Sequence, residues 1–257
     1  MYDSELKVAK SIAEQAGKIM RQYFYEGQQR QIKQDGTPLT IADTLINQLV
    51  IAELSKAFAE DIVIGEEAST GTYGPGRRWL CDPIDGTKAF TWGVPTAMFS
   101  LGLVIDGRPV LGVCLEPMLD KLYWAVRGEG AFCNGEALKV NNSDLSDGIL
   151  ATISNPYRLR RDAPYMDALL DVSPRIDMAT FSGAVAKSIR VAEGRFVGYI
   201  EEMVNPHDMA AVDVIVREAG GRITGFNGEE LNYTRQFKGA VVSNGLVHDK
   251  ILNATSA

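Results

Sequence analysis

The first sixty residues alternate hydrophobic and polar positions at helical spacing. Apolar residues at positions 6, 9, 12, 16, 19 and 23 predict an amphipathic helix over residues 4–26, with Ser4 as a candidate cap. The segment QDGTP (34–38) interrupts the pattern. Apolar positions then recur at Ile41, Leu45, Leu49 and Leu54, and the pattern predicts a second helix from Thr40 to Phe58.

Strand-like runs occupy the next part of the chain. DIVIGEE (61–67) and RRWLCDPI (77–84) have the continuous apolar character of short buried strands. Residues 97–135 contain further strand-like runs, which Asp-Gly, Met-Leu-Asp and Gly-Glu-Gly turns separate. Such turns favour hairpins, so we expect an antiparallel meander and, for the first half as a whole, an antiparallel sheet.

After residue 145 the pattern changes to an alternation of strands and helices, which favours an α/β arrangement. We therefore expect an α+β half over residues 1–145 and an α/β half with a mixed sheet over residues 146–257. No linker-like or low-complexity segment lies between them. The predicted strands are 149–154, 195–201, 222–224 and 239–244, and the predicted helices are 162–170, 183–194 and 207–221.

Composition and charge narrow the classes of function. The 257 residues are 46% hydrophobic and 23% charged, as is typical of a globular protein. A formal net charge of -7 argues against a nucleic acid or an anionic membrane as partner. No apolar run has signal-peptide or transmembrane length, and the three cysteines form no CxxC pair. These features predict a cytoplasmic protein with reduced cysteines.

Acidic residues stand where strands end and a helix begins, as metal-assisted phosphate chemistry requires of its oxygen ligands. Glu66 closes one strand, Asp82 and Asp85 follow the run WLC across a proline turn, and Asp208 opens the helix 207–221. Three of the four also have ordinary structural interpretations as a solvated strand end, a turn residue and a helix N-terminal acid. Asp82 is harder to explain in this way, because it directly follows an apolar run and an unpaired buried carboxylate is costly.

The residues after Asp85 add a candidate anion site. GTKAF (86–90) has the character of a first helical turn, where free N–H groups can hold a phosphate oxygen. Gly86 permits a close backbone approach, and the Thr87 hydroxyl can orient a water molecule. Thr40 and Asp43 form a T-x-x-D pattern with two interpretations, a capping box or a base at Asp43 that aligns this water together with Thr87.

Several motifs together resemble the inositol monophosphatase family in order and approximate spacing. They are IGEE (64–67), WLCDPIDGTKAF (79–90) and HDMAAVDVIVREAGGRITG (207–225), with EPMLDKLYWAVRGEGAFCNG (116–135) similar to the family's central hairpin. The resemblance covers nearly the whole chain. It implies a layered αβαβα sandwich, usually a homodimer, and a Mg²⁺-dependent, often lithium-sensitive phosphomonoesterase that acts on a small phosphate monoester.

The resemblance also implies a role for each matching residue. Two or three Mg²⁺ ions would be held by Glu66, Asp82, the Ile84 carbonyl, Asp85 and Asp208, with Asp82 bridging two of them. The phosphate and the attacking water would be served by Gly86, Thr87, Asp43 and Glu66. The leaving group would contact Glu201 and the loop Ser182, Gly183 and Ala184. The implied reaction is in-line displacement by a metal-activated water, without a phosphoenzyme.

Two departures from the family pattern leave the substrate open. His207 stands where the family commonly has tryptophan, and Lys88 stands where typical inositol phosphatases have a neutral residue. Inositol 1-phosphate or a related polyol or sugar phosphate is the first expectation and histidinol phosphate the alternative. A 3′-nucleotidase activity or a fructose-1,6-bisphosphatase activity is a weaker alternative.

Two further classes of protein are disfavoured. A haloacid-dehalogenase mechanism uses a D-x-D-G-T motif, whereas the spacing here, D-x-x-D-G-T, is one residue longer. A catalytically silent scaffold is disfavoured because every expected acid is present.

Overall fold

The computed structural model describes residues 2–26, 31–32, 38–152 and 163–255. A short hairpin of β1 (Gln31–Ile32) and β2 (Pro38–Leu39) lies between the first two helices. Among the described residues no helix is long and apolar enough to cross a membrane. The helices are α1 (Asp3–Glu26), α2 (Ile41–Ala57), α3 (Thr87–Thr91), α4 (Ala163–Val172), α5 (Ala184–Ala192), α6 (Pro206–Glu218) and α7 (His248–Thr255).

The first sheet has seven strands in chain order and contains the predicted meander. From β4 onward every neighbouring pair is antiparallel, as expected. The outer pair β3–β4 is parallel, so the sheet differs from the predicted antiparallel arrangement at this edge alone among the described strands. The strands are β3 (Ile62–Gly65), β4 (Arg77–Asp85), β5 (Met98–Ile105), β6 (Arg108–Glu116), β7 (Lys121–Val126), β8 (Gly130–Cys133) and β9 (Glu136–Ala137).

The second sheet is mixed and has the strand order β11-β10-β12-β14-β13. Strand β10 runs parallel to β11 and to β12, so the carboxyl ends of these three strands meet at one edge. Strand β14 runs antiparallel to both of its neighbours. The strands are β10 (Ile149–Thr152), β11 (Asp177–Thr180), β12 (Gly198–Glu201), β13 (Arg222–Thr224) and β14 (Ala240–Ser243).

The helices and sheets stack as the expected αβαβα sandwich. Helices α1 and α2 pack on one face of the seven-stranded sheet, and α5 and α6 lie between the two sheets. Helices α4 and α7 cover the outer face of the five-stranded sheet. Because each sheet face and helix stripe is apolar, three hydrophobic cores fill the spaces between the layers.

Helix α6 lies unusually close to the seven-stranded sheet. Gly102 and Gly112 are partners on β5 and β6. A Cβ atom on Gly112 would lie 2.2 Å from the Ala211 carbonyl oxygen, and one on Gly102 would lie 2.8 Å from the Ala210 carbonyl carbon. The absence of side chains at this pair therefore lets the α6 backbone rest on the strands, which fixes the position of the helix start.

Some element boundaries differ from the predictions. Helix α1 begins at Asp3, so Ser4 lies inside its first turn and is not its cap. Strand β11 and helix α7 were not predicted. Residues 153–154 of one predicted strand and residue 162 of one predicted helix lie outside the described residues. The division of the chain into two halves, residues 1–145 and 146–257, stays a prediction.

Candidate active site

Two of the predicted acids lie side by side where β3 ends against β4. Strand β3 runs parallel to β4 in a register that pairs Gly65 with Cys81, so Glu66, the first residue after β3, lies beside Asp82, which is inside β4 and pairs with Ser100 of β5. The Glu66 N–H donates to the Cys81 carbonyl at 3.0 Å, which keeps the two strands paired up to this point. Asn47 of α2 accepts from the Glu67 N–H and donates to the Ala68 carbonyl, and these bonds hold the loop after Glu66.

Asp82, Asp85 and Asp208 form the centre of the site. One ligand atom from each lies within 4.8 Å of the others. Asp82 and Asp85 both come from β4, and the sequence prediction of a proline turn between them is replaced by a shift in the register with β5, where the Ile84 N–H donates to Asp82 Oδ1 at 3.0 Å. Glu66 lines the same pocket, and so does Ile84, whose carbonyl is a further oxygen ligand candidate.

Asp85 joins this cluster to the second half of the chain. Its Oδ1 accepts from the Ala184 N–H at 2.9 Å, and its Oδ2 accepts from the Val185 N–H at 2.8 Å. Both donors belong to the first turn of α5. Gly183 allows the approach, since a Cβ atom there would lie 2.7 Å from Asp85 Oδ2. The loop 182–184 thus lines the pocket, and the turn that follows Gly183 also fixes Asp85.

Asp208 belongs both to the acidic cluster and to the cap of α6. It is the third residue of that helix, and its Oδ2 accepts from the Asn205 N–H at 2.6 Å in a capping box. His207 Nε2 lies 3.5 Å from Asp208 Oδ1 and lines the pocket. Asp208 is therefore a helix N-terminal acid and also a member of the acidic cluster, so the two interpretations do not exclude each other.

The contacts of Asp43 are compatible with both of its proposed interpretations. Its Oδ2 accepts from the backbone N–H of Thr40 at 2.8 Å and from the hydroxyl of Thr40 at 2.6 Å, which completes the capping box of α2. Its Oδ1 lies 3.3 Å from the Thr87 hydroxyl, which is also 2.8 Å from the Ile84 carbonyl. Capping and a role beside Thr87 are therefore compatible, because each carboxylate oxygen has a separate partner.

Burial and mutual repulsion both act on these carboxyl groups. Burial raises the pKa of Asp82 well above its ordinary value, and repulsion from Glu66, Asp85 and Asp208 adds to the rise. The pKa of Asp85 rises to about 7, first through burial and then through Asp208. The pKa of Asp43 rises to about 6, mainly through burial. The site thus concentrates negative charge that a bound cation would stabilise.

The donor set fits a hard divalent cation. It consists of carboxylate oxygens and one backbone carbonyl, the ligands that Mg²⁺ prefers, and contains no thiolate. The three aspartates come from β4 and α6, and backbone N–H groups already hold one or both carboxylate oxygens of each in place. The carboxylates are therefore preorganised for a metal, since a cation would not have to order them.

The remaining predicted residues surround an open pocket of about 240 Å³ above the acids. Gly86 has the left-handed conformation, with φ 84°, and precedes the single-turn helix α3. A Cβ atom on Gly86 would come within 3.4 Å of the Ser182 carbonyl. Glu201 lies at the carboxyl end of β12 and lines the opposite side of the pocket together with Met203 and Asn205.

Lys187 also lines this pocket, although it is not among the residues predicted from the sequence. Lys187 is buried on α5, and its Nζ lies 3.3 Å from Glu201 Oε2. A signal was available, because Lys187 stands three residues after Ala184 and four before Val191, both of which are apolar and buried on the same helix. A lysine at helical spacing within a buried stripe indicates a paired charge, because lysine is almost never fully buried without a partner.

Comparison with known proteins agrees with this geometry. The sequence model of the inositol monophosphatase family matches residues 1–257. The chain is 33% identical to a histidinol-phosphatase of Mycobacterium tuberculosis over the full length of both chains. It is 32% identical to a fructose-1,6-bisphosphatase/inositol-1-monophosphatase of Aquifex aeolicus, over 96% of this chain and 93% of that one.

Solved structures show the same architecture. An IMPase of Thermotoga maritima aligns with a TM-score of 0.86 at 27% identity, over 98% of this chain and 96% of that one. The extragenic suppressor protein suhB of Bartonella henselae aligns with a TM-score of 0.88 at 28% identity, over 98% of both chains. The chain belongs to the inositol monophosphatase family and is a phosphatase that acts on phosphate monoesters.

Proposed function

We propose that the chain hydrolyses a small phosphate monoester with Mg²⁺ as its cofactor, inositol 1-phosphate or a related polyol or sugar phosphate being the first candidate. The observation that carries this proposal is the cluster of Asp82, Asp85 and Asp208, whose ligand atoms lie within 4.8 Å of one another at the floor of an open pocket. Thr87 and Asp43 stand directly beside the cluster. The proposed metal ligands and the two residues proposed to orient the water therefore lie next to each other.

Metal binding is assigned to the oxygen ligands of the pocket floor. Bound Mg²⁺ would polarise the phosphate, lower the pKa of the attacking water and neutralise the charge that develops on the leaving oxygen. We propose two or three ions and sensitivity to lithium on the basis of family resemblance. The proposed ligands are Glu66, Asp82, the Ile84 carbonyl, Asp85 and Asp208.

The other residues bind and orient the reactants. Thr87 and Asp43 hold the attacking water in line with the scissile bond, with Glu66 as a neighbouring acid, and the Thr87 hydroxyl directs a water lone pair toward phosphorus. The N–H groups of Gly86 and Thr87 hold phosphate oxygens. The leaving group lies against Glu201 and the loop Ser182, Gly183 and Ala184.

Phosphate release from purified protein tests the proposal. We expect release from inositol 1-phosphate with Mg²⁺ present, and its loss when EDTA removes the metal. Thr87→Ala should lower kcat by about 100-fold or more, because it removes the hydroxyl that orients the water. Thr87→Ser is the matched control, since it keeps that hydroxyl. Absence of release from every small monoester tested would contradict the proposal.

Histidinol phosphate is the second candidate substrate. Two relatives that share 33% and 35% identity with this chain are histidinol-phosphatases, one from Mycobacterium tuberculosis and one from Chlorobaculum parvum. A direct comparison of kcat/KM distinguishes the two substrates, with fructose 1,6-bisphosphate and adenosine 3′,5′-bisphosphate in the same panel. Repetition with lithium tests the proposed inhibition.

Three further properties remain proposals. We propose a homodimer, a cytoplasmic location, and two halves over residues 1–145 and 146–257. Light scattering of the purified protein measures the first, fractionation of the cells that make it measures the second, and limited proteolysis tests the third. A monomeric mass, or recovery outside the cytoplasm, would contradict the corresponding proposal.

A further inference from the structure

Lys187 places an ammonium group at the leaving-group end of the pocket. Its side chain is 2% exposed, and its Nζ lies 3.2 Å from the Thr152 carbonyl oxygen and 3.3 Å from Glu201 Oε2. The same Nζ lies 4.7 Å from the centre of the Tyr199 ring. Because Lys187 and Glu201 both line the pocket, this ion pair faces a bound substrate and not the bulk solvent.

Stability does not account for this buried pair. Removing an ammonium group from water is costly, and replacement of a buried ion pair by apolar residues of similar volume is often neutral or stabilising. The neighbours of Lys187 on α5 are buried small or apolar residues, among them Val185, Ala186 and Ile189. Apolar residues at both positions 187 and 201 would therefore suit the fold equally well, so the charged pair points to a role in the pocket.

The pair also alters what Glu201 offers to a substrate. Tyr199 donates its hydroxyl to Glu201 Oε2, the same oxygen that Lys187 contacts, so the carboxylate is fixed in position. The ammonium beside it cancels most of its negative charge at the leaving-group end. The pocket therefore presents one hydrogen-bond donor and one acceptor side by side, with little net charge.

We propose that Lys187 is a specificity-determining residue, which makes the pocket favour leaving groups with neutral hydroxyls and disfavour those that carry an ammonium group. This inference rests on the proposed function, because it concerns the substrate of the same site. Two neighbouring hydroxyls of a polyol match the pair, one donating to the carboxylate and the other accepting from the ammonium. An ammonium group on the substrate would lie beside the Glu201 carboxylate, which is already paired, and would be repelled by the nearby ammonium of Lys187.

Matched sugar phosphates test the proposal. The 1-phosphates of glucose and glucosamine differ only in the exchange of a hydroxyl for an ammonium at carbon 2, beside the phosphate. The 6-phosphates differ in the same way, but carbon 2 is then across the ring. In the wild type, kcat/KM should be higher for the hydroxyl member of a pair. Lys187→Met removes the charge at similar length and should lower the hydroxyl-to-ammonium ratio by about tenfold in at least one pair.

Companion variants separate charge from structure. Lys187→Arg keeps the charge and should keep the ratio within about threefold of wild type, even if its absolute rate falls. Lys187→Gln removes the charge while retaining a donor for Thr152, so it replaces the methionine variant if that variant does not fold. Lys250→Met is the remote control, because Lys250 pairs with Asp144 on the surface, and its ratio should equal that of the wild type.

Two results would overturn this inference without contradicting the proposed function. One is a wild-type preference for the ammonium member in both pairs. The other is a change of less than about threefold in both pairs when the charge is removed. Hydrolysis of para-nitrophenyl phosphate with Mg²⁺, measured in parallel, separates these results from failure of the proposed function. If the wild type cleaves neither that ester nor any sugar phosphate, the proposed function itself is wrong, and this inference is wrong with it.

Discussion

Asp85 accepts hydrogen bonds from two consecutive backbone N–H groups of α5 and also lies in the acidic cluster. Its two oxygens therefore fix the start of one helix while they face the proposed metal position. From the sequence alone, Asp85→Asn would be expected to leave the fold nearly intact. The structure revises that expectation, because an asparagine amide group would point at one of the two N–H donors.

We predict that Asp85→Asn lowers kcat/KM by about 100-fold or more, since it removes a charged ligand candidate. The lost hydrogen bond should also lower the free energy of unfolding by about 1–3 kcal/mol. Phosphate-release kinetics and urea unfolding measure the two effects. Asp120→Asn is the matched control, because its side chain is 94% exposed and its positive φ suits asparagine. A wild-type rate in Asp85→Asn would make Asp85 a purely structural residue.

Among the elements, α6 depends on the two glycines beneath it for the position of Asp208. We predict that Gly112→Ala pushes this helix away from β6, because the new Cβ would lie 2.2 Å from the backbone oxygen of Ala211. Overpacking of this kind costs about 1–3 kcal/mol. The Mg²⁺ concentration needed for half-maximal activity should rise at the same time, because Asp208 moves with the helix.

Gly71→Ala is the control for this helix position. Gly71 lies in an exposed loop, and the atoms nearest to an added Cβ belong to the Ile62 side chain, which can move. Its effect on unfolding should stay within about 0.5 kcal/mol. If Gly112→Ala unfolds at the same urea concentration as the wild type, the close contact of α6 does not set its position.

Helix α7 is held to the second sheet through His248, which is completely buried. The Thr224 hydroxyl lies 3.0 Å from Nε2, and the Ser243 hydroxyl lies 2.8 Å from Nδ1. The pKa of His248 is lowered to about 4, mainly by burial. The positive charges of Arg222 and Arg217 also lower this pKa, whereas the negative charge of Asp249 raises it. The folded protein therefore keeps this imidazole neutral at pH values where an unfolded chain would protonate it.

The sign of the pH effect follows from this difference. At pH 7 the imidazole is neutral in both states, and below about 6.5 only the unfolded state binds a proton. Stability should therefore fall as the pH drops from about 6.5 to about 4, by up to about 3 kcal/mol from this group. His248→Gln lacks the titrating group, so the difference in unfolding free energy between the two proteins should depend on pH over this window. A pH-independent difference would contradict the assignment.

Periodicity and turn chemistry were enough to predict the long helices and the meander, because those elements have one apolar face each. Strand β11, DMAT, is mostly exposed, and α7, HDKILNAT, is mostly polar with a buried histidine. Neither contains the pattern that prediction relies on. The acids of the candidate site could be predicted because they stand at the ends of predicted strands and at the start of a predicted helix, although Asp82 lies inside β4 in the structure. Their hydrogen-bond donors were not found, since the partners of Asp85 are backbone N–H groups about a hundred residues away.

At the scale of the whole molecule, the candidate site is where the layers of the sandwich meet. Asp82 and Asp85 come from the seven-stranded sheet, Asp208 comes from α6 in the middle layer, and Glu201 comes from the five-stranded sheet. A cation bound by the three aspartates would join the first sheet to the middle layer. It would also remove the repulsion that raises the pKa values of these acids.

We therefore predict that Mg²⁺ stabilises the folded protein in addition to its proposed role in the reaction. A ligand that binds only the folded state adds about 2.7 kcal/mol when its free concentration is 100 times Kd. The melting temperature should rise with Mg²⁺ and return to its starting value with EDTA, at constant ionic strength. Asp208→Asn should abolish most of the rise, whereas Asp120→Asn should show it in full. An unchanged melting temperature at Mg²⁺ concentrations that saturate activity would mean that the ion does not bind preferentially to the folded state, because such binding must stabilise that state by mass action.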